Sequence, residues 1–180
     1  MDINAKALSV REIQNEDISH IINYWLRADD HYLQAMGVDL EKLPSEQEWR
    51  LFLTKQLALP IQEKQSYCII WLLDGKAIGH SNINKIIYEK EAYMHLHIWE
   101  EEIRKKGLGV SWIKKTVPIF FYKYKLEDLF CEPYALNPAP NKSLGRAGFK
   151  FVKSYRTIPG SLNFEQEVNL WTINKKDLID

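Results

Sequence analysis

The stretch from Tyr93 to Phe120 constrains this chain more than any other. A β-branched and aromatic run, Tyr93 to Trp99, ends in three acids, Glu100-Glu101-Glu102. The turn Arg104-Lys105-Lys106-Gly107-Leu108-Gly109 follows, and Trp112, Ile113, Thr116, Val117 and Phe120 then recur at helical spacing. A strand that runs into a helix returns as a parallel neighbour through a right-handed crossover, so the unit from Tyr93 to Tyr134 should contain a parallel pair. Helix N-termini carry unpaired N–H groups and the positive end of the macrodipole, which suits phosphate. Gly107 and Gly109 have no Cβ and allow a ligand to approach the backbone, and three basic side chains add charge. The stretch reads as an anion site at the C-terminal end of a strand. The alternative is a strand-to-helix turn with a solvated charge run, because short glycine motifs recur by chance.

The chain of 180 residues is most simply one domain, long enough to bury a proper core. Lys+Arg and Asp+Glu both total 24, so no global charge draws it to nucleic acid or membrane, and binding must come from local patches. Cys68 and Cys131 fall in apolar, strand-like runs and read as small buried hydrophobes. The segment Met1–Lys6 has no secretory apolar core, and Tyr67 to Leu73 is too short to span a bilayer. A cytoplasmic protein is the expectation.

Taken in order, Ala7 to Ile13 reads as a strand. Asn15 then caps a helix carrying Ile18, Ile21, Ile22, Trp25 and Leu26 on one face. Arg27 to Leu43 is polar and irregular, a lid or a connection with a helical turn inside it. Ser45 and Glu48 stand in capping-box register at the start of a second helix, which Pro60 closes. Strands over 66–73 and 76–87 flank Asp74-Gly75, a hairpin signal, and Glu91 to Trp99 completes an antiparallel meander. In the helix after Gly107, Pro118 predicts a kink or an early end. Leu126 to Tyr134 reads as a strand, Asn137 to Ala147 as a short helix, and 149–157 and 166–174 as the last two strands. The result is an α/β single domain of order β-α-α-β-β-β-α-β-α-β-β, a mixed, mostly antiparallel sheet of about seven strands flanked by helices.

That order, with a basic R-x-x-G-x-G turn after the fourth strand, resembles the GNAT acetyltransferase superfamily. The segment Asn137-Pro138-Ala139-Pro140-Asn141-Lys142-Ser143-Leu144-Gly145-Arg146-Ala147-Gly148-Phe149 is similar to that superfamily's asparagine-opened helix ending in Gly-Phe, in the RimJ/RimL-like N-acetyltransferase branch. The resemblance covers nearly the whole chain. It implies transfer of an acetyl group from acetyl-CoA, as cosubstrate, to a primary amine on a protein N-terminus or a small molecule, by direct attack on the thioester. It further implies that backbone amides of Arg104, Lys105, Lys106, Gly107, Leu108 and Gly109 hold the pyrophosphate. The strand end His97, Ile98 and Trp99 would bind the pantetheine arm and acetyl carbonyl, and Asn137 and Asn141 would lie on the cofactor near the thioester. It implies no metal, no nucleic-acid or membrane partner, and allows a homodimer. The chain departs from the pattern twice: Pro140 stands where relatives often have a serine that protonates the thiolate, and Met94 where they often have a glutamate.

Replacement groups are legible nearby. His95 and His97 share one face of their strand, and His80, Asn82 and Asn84 share one face of the strand before. Histidine titrates near neutrality, which suits a base taking a proton from an ammonium. His97 is the first candidate and His95 and His80 follow; hydrogen-bonded core histidines are the alternative. Tyr134 beside Asn137 is the candidate acid, with Ser143 behind it, and Tyr134 reads equally as a packed aromatic. Two other function classes stay open: an acyl-CoA binder or transferase of another acyl group, suggested by Pro140 and Met94, and a zinc enzyme built on the histidines and Cys131, for which no ligand spacing is readable.

Overall fold

The computed structural model describes residues 7–104 and 106–178. Lys105 and the Met1–Lys6 segment, read above as part of the anion turn and as lacking a leader, lie outside the described residues. The elements run β1 (Leu8–Glu12), α1 (Asp17–Arg27), α2 (Asp30–Ala35), α3 (Glu46–Ala58), β2 (Tyr67–Leu73), β3 (Lys76–Ile87), β4 (Glu91–Ile98), α4 (Gly109–Tyr124), β5 (Asp128–Cys131), α5 (Pro138–Ala147), β6 (Lys150–Thr157) and β7 (Gln166–Asn174). One sheet holds all seven strands in the order β1-β2-β3-β4-β5-β7-β6. Only β4 and β5 run parallel, through the α4 crossover.

Every residue of β2 is buried, because helices cover both faces of the sheet. On one face Ile69 and Trp71 meet α4, where Trp71 stacks on Trp112 at 5.5 Å and donates its indole N–H to Thr116 Oγ1 at 2.9 Å. On the other, Cys68 and Ile70 meet Ile18, Ile21, Ile22 and Trp25 of α1 and Leu53 of α3. Both cysteines are buried and free. Buried Asp17 ties α1 to β1 through Arg11, whose Nη2 donates to Asp17 Oδ1 at 2.9 Å.

Local signals account for several boundaries. The Ser45/Glu48 capping box forms, and Asp74 (φ 50°) and Gly75 (φ 80°) take the paired left-handed conformations of a tight hairpin turn. Two expectations need correction, and two pairs of alternatives are narrowed. Asn15 does not cap α1, which begins after Glu16 with no side-chain cap; the nearby carboxylate of Asp17 accepts the Gln14 N–H at 2.8 Å instead. Leu26 is 40% exposed, and Tyr24 takes its place on the buried stripe at 6%. The connection 27–43 contains α2 and a 3₁₀ turn, Leu40–Lys42, the helical alternative for this stretch, which adds a helix to the element order. The helix at Pro118 does not end early; it runs to Tyr124 with Pro118 on its exposed face, where water can serve the carbonyl that loses its donor.

β5 is shorter than the run 126–134. It begins at Asp128 because the N–H groups of Glu127 and Asp128 both go to Lys90 O, and it stops at Cys131, before Pro133, which has no N–H. That shortness opens the sheet. β5 pairs with β4 only at Glu91, Ala92 and Tyr93, yet β4 continues to Ile98.

Candidate active site

Where β4 parts from β5, backbone groups are left over. Trp99 donates its N–H to Ile78 O at 2.8 Å, and bonded and non-bonded residues alternate along an antiparallel pair. His97 and His95, opposite His80 and Asn82, therefore spend their backbone on β3, while Met94, Leu96 and Ile98 turn theirs toward β5. The Met94 carbonyl accepts the Cys131 thiol at 3.0 Å and the Ile98 carbonyl accepts Arg104 Nε at 3.0 Å. Among the described residues this leaves Leu96 N–H and C=O and Ile98 N–H without a strand partner. Of the three strand-end residues expected to bind through backbone, Ile98 keeps that capacity, His97 and Trp99 do not, and Leu96 joins. Gly79 permits the close approach of β3 here, since a Cβ on it would meet the His97 carbonyl oxygen.

Beyond the strand end, Gly107 adopts φ +77° with open space around it, and α4 begins at Gly109 with no side-chain cap. The N–H groups of Gly109 and Val110 find no acceptor among the described residues, while Ser111 and Trp112 bond back to Leu108 O. Lys106 is exposed beside them. Arg104 does not project as a free phosphate ligand. Its Nη2 donates to Trp99 O at 3.1 Å, and its guanidinium lies over the Tyr32 ring at 3.7 Å. It braces the turn against β4 and α2.

A cavity of about 590 Å³ runs from the open edge of β4 across the α1–α3 face of the sheet. All three predicted histidines line it, with Tyr134, Asn137 and Pro140 at the β5 end. The rings of His80 and His97 stack at 4.7 Å. His80 is 3% exposed and accepts the indole N–H of Trp99 at Nδ1, 2.8 Å away. An indole only donates, so His80 is held neutral with its proton on Nε2. Burial pushes its pKa down to about 3, with His95 adding to the effect. That makes His80 a tie between β3 and the strand end rather than a base. His95 Nε2 lies 3.0 Å from Asn84 Oδ1, so it donates there and keeps its Nδ1 lone pair; burial, and then Lys85, lower its pKa to about 4. His97 Nδ1 lies 3.3 Å from the Tyr24 hydroxyl, and its Nε2 has no partner among the described residues. Burial, and then His80 and His95, push its pKa well below the usual value.

The Tyr134 hydroxyl has no protein partner among the described residues, and its ring meets Phe164 edge-on at 5.8 Å. Asn137 caps α5, accepting the Ala139 N–H at 3.3 Å, and retains its amide N–H groups. Asn141 is fully used. It donates to Tyr134 O at 3.2 Å and Asn137 O at 2.7 Å, and accepts from Asn169 at 2.9 Å and Trp171 at 2.8 Å. With two donors and two lone pairs engaged, it has nothing left for a cofactor and instead fixes the backbone of its neighbours. Ser143 sits by the glycine turn, its Oγ 3.8 Å from where a Gly109 Cβ would be, and so away from the Tyr134 end. Met94 is 1% exposed, packed in the α4-side core where that core meets the cavity, so the position carries an apolar side chain with no group to take or give a proton.

Three residues escaped the sequence reading. Tyr24 and Tyr32 meet hydroxyl to hydroxyl at 3.2 Å, linking His97 to the Arg104 stack. Glu132 borders the cavity with its side chain 4% exposed, 3.4 Å from Lys85 and hydrogen-bonded by the Tyr155 hydroxyl; burial raises its pKa. Strand alternation after buried Leu129 and Cys131 could have placed Glu132 on this face. Among the described residues no group of three or more His, Cys, Asp or Glu side chains could hold a metal, and no helix is long and apolar enough to cross a membrane.

At the level of sequence the chain matches no family model and no curated protein. Solved structures do match its fold. A spermidine N-acetyltransferase from Vibrio cholerae, in complex with CoA and spermine, aligns over 96% of this chain and 98% of its own at TM-score 0.77 and 16% identity. A ribosomal-protein alpha-N-acetyltransferase, RimL, in complex with CoA aligns over 93% of each chain at 0.75 and 16%. An aminoglycoside acetyltransferase with CoA and kanamycin aligns over 95% and 96% at 0.73 and 14%. The chain shares the fold of these acetyltransferases.

Proposed function

We propose that this protein transfers an acetyl group from acetyl-CoA to a primary amine. The observation that carries the reading is the parting of β4 from β5 after Tyr93, which leaves the Leu96 and Ile98 amides without a strand partner among the described residues, Leu96 at the wall of a cavity also lined by the imidazole of His97 and the phenol of Tyr134. The fold neighbours, which acetylate a ribosomal protein or hold spermine or kanamycin, support amine acetylation in general.

Acetyl-CoA supplies an activated acyl carbon and a thiolate leaving group. The N–H groups of Gly109 and Val110, the left-handed turn at Gly107 and the charge of Lys106 would hold the pyrophosphate; Lys105 is assigned with them from the motif alone. Leu96 and Ile98 would pair with the pantetheine arm, their N–H groups facing the charge that develops on the acyl oxygen. Asn137 would donate to the arm, and Tyr134 would give its proton to the departing sulfur, the task Pro140 cannot perform. His97 would take the ammonium proton at Nε2, with His95 Nδ1 as the second acceptor. Moving a proton from an ammonium to a neutral imidazole shifts a positive charge without creating one. Burial therefore lowers the proton affinity of donor and acceptor together, and a depressed His97 stays matched to its task.

The test is release of free CoA, with the product's mass, over a panel of primary amines. The expected result is an acetylated amine. A folded protein that binds acetyl-CoA yet releases CoA with no amine would be an acyl-CoA binder.

A further inference from the structure

We infer that the acceptor is a singly charged primary amine carried on an aromatic or branched aliphatic body, and that polycations are excluded. The inference rests on the acetyltransferase reading of the same site. The wall facing the histidines is apolar: Trp25 and Trp49 stack at 5.9 Å and 13°, Phe52 meets Trp49 edge-on at 6.4 Å, and Ile21, Val38 and Leu53 extend the surface. The floor is polar but uncharged. Asn82 and Asn84 are amides, and His80, His95 and His97 are held neutral by burial.

The cavity is bordered by two carboxylates, Glu48 at its exposed rim and Glu132 further in. Glu48 Oε2 takes the Ser45 N–H at 2.8 Å and the Ser45 hydroxyl at 2.7 Å in the capping box. Glu132 is paired to Lys85 and hydrogen-bonded by Tyr155. The reacting ammonium loses its charge to His97, but a second ammonium would remain charged in the cavity, where Glu132 is already paired to Lys85 and the other bordering carboxylate, Glu48, lies out at the exposed rim. A desolvated, unpaired cation is strongly disfavoured. An apolar body gains instead by covering the Trp25–Trp49–Phe52 surface, and one ammonium is all this chemistry can neutralise.

The experiment compares kcat/KM for phenethylamine, phenylalanine amide and leucine amide with that for spermidine and kanamycin, at saturating acetyl-CoA. The expected result is at least a tenfold preference for the first three. Equal or better turnover of spermidine or kanamycin overturns the inference and leaves the acetyltransferase reading standing. Turnover of none of the five, with acetyl-CoA bound, overturns both. As a second measurement, Phe52→Ala should raise KM for phenethylamine severalfold while KM for acetyl-CoA is unchanged. An unchanged phenethylamine KM in that variant removes the aromatic wall from acceptor recognition.

Discussion

The hydroxyl of Tyr24 lies 3.3 Å from Nδ1 of His97, and that contact determines which face of the imidazole can accept a proton. If His97 donates from Nδ1, its Nε2 lone pair is free. The Tyr24 hydroxyl then passes its own proton toward Tyr32, 3.2 Å away, or Met36 Sδ at 3.5 Å. Tyr24→Phe removes the acceptor that holds this tautomer. Loss of one neutral hydrogen bond of about 0.5–1.5 kcal/mol predicts a fall in kcat of roughly 2- to 12-fold. Acetyl-CoA affinity, measured by titration, should not change. An unchanged kcat would separate Tyr24 from catalysis.

Because burial holds the His97 pKa well below its usual value, the base is already neutral throughout the physiological range. Wild-type kcat/KM should therefore be level over about pH 6–8, without a limb at the ordinary histidine pKa of about 6.5. His97→Ala should lower kcat/KM by about 10²–10⁴-fold, the range for a positioned general base. In the variant only the neutral amine can react, so its rate should climb with pH toward the acceptor's pKa. Parallel pH profiles for the two enzymes would contradict the assignment.

The two turn glycines should separate stability from binding. Gly107 holds φ +77°, so Gly107→Ala forces a side chain into the left-handed region at about 1–2 kcal/mol. A Cβ on Gly109 meets only Ser143 Oγ, at 3.8 Å, and the residue opens α4, so Gly109→Ala should leave the melting temperature unchanged or slightly raised. The added methyl nevertheless stands at the proposed phosphate site, and acetyl-CoA should bind the variant more weakly. Equal affinity in a folded Gly109→Ala protein would move the anion site elsewhere.

His80, His95 and His97 all bind protons less readily in the folded protein than in the unfolded chain. As pH falls below about 6.5 the unfolded chain takes up protons first. Stability present above that pH is then lost progressively, through about 4 for His95 and about 3 for His80. Each histidine adds at most about 1.4 kcal/mol per pH unit. Melting temperature should be level from about pH 7 to 8 and fall between about 6.5 and 5, before carboxylates titrate. His80→Gln, which keeps an oxygen for the Trp99 indole, should fall less steeply. A melting temperature independent of pH in that window would contradict the buried neutral assignments.

What the sequence disclosed was set by the range of the interaction responsible. The Ser45/Glu48 box, the Asp74-Gly75 turn and the Trp112–Phe120 stripe are encoded within a few residues, and each formed where expected. The alternation of His95 with His97, and of His80 with Asn82, correctly put the polar groups on one face. Roles that depend on a distant partner were not legible. Tyr24 meets His97 across 73 positions, and Asn141 is exhausted by Asn169 and Trp171, 28 and 30 positions away. Arg104 matches a phosphate motif, yet two strand-end carbonyls and Tyr32 occupy it. No local pattern shows that a motif residue is already engaged.

The central claim is that the edge of β4 released by β5, together with the start of α4, holds acetyl-CoA. Backbone amide chemical shifts followed by NMR during an acetyl-CoA titration test it most directly. The amides of Leu96, Ile98, Gly109 and Val110 should shift together and saturably, while those of His95 and His97, bonded to β3, should shift far less. Saturable binding that leaves Leu96, Ile98, Gly109 and Val110 unmoved would contradict the account.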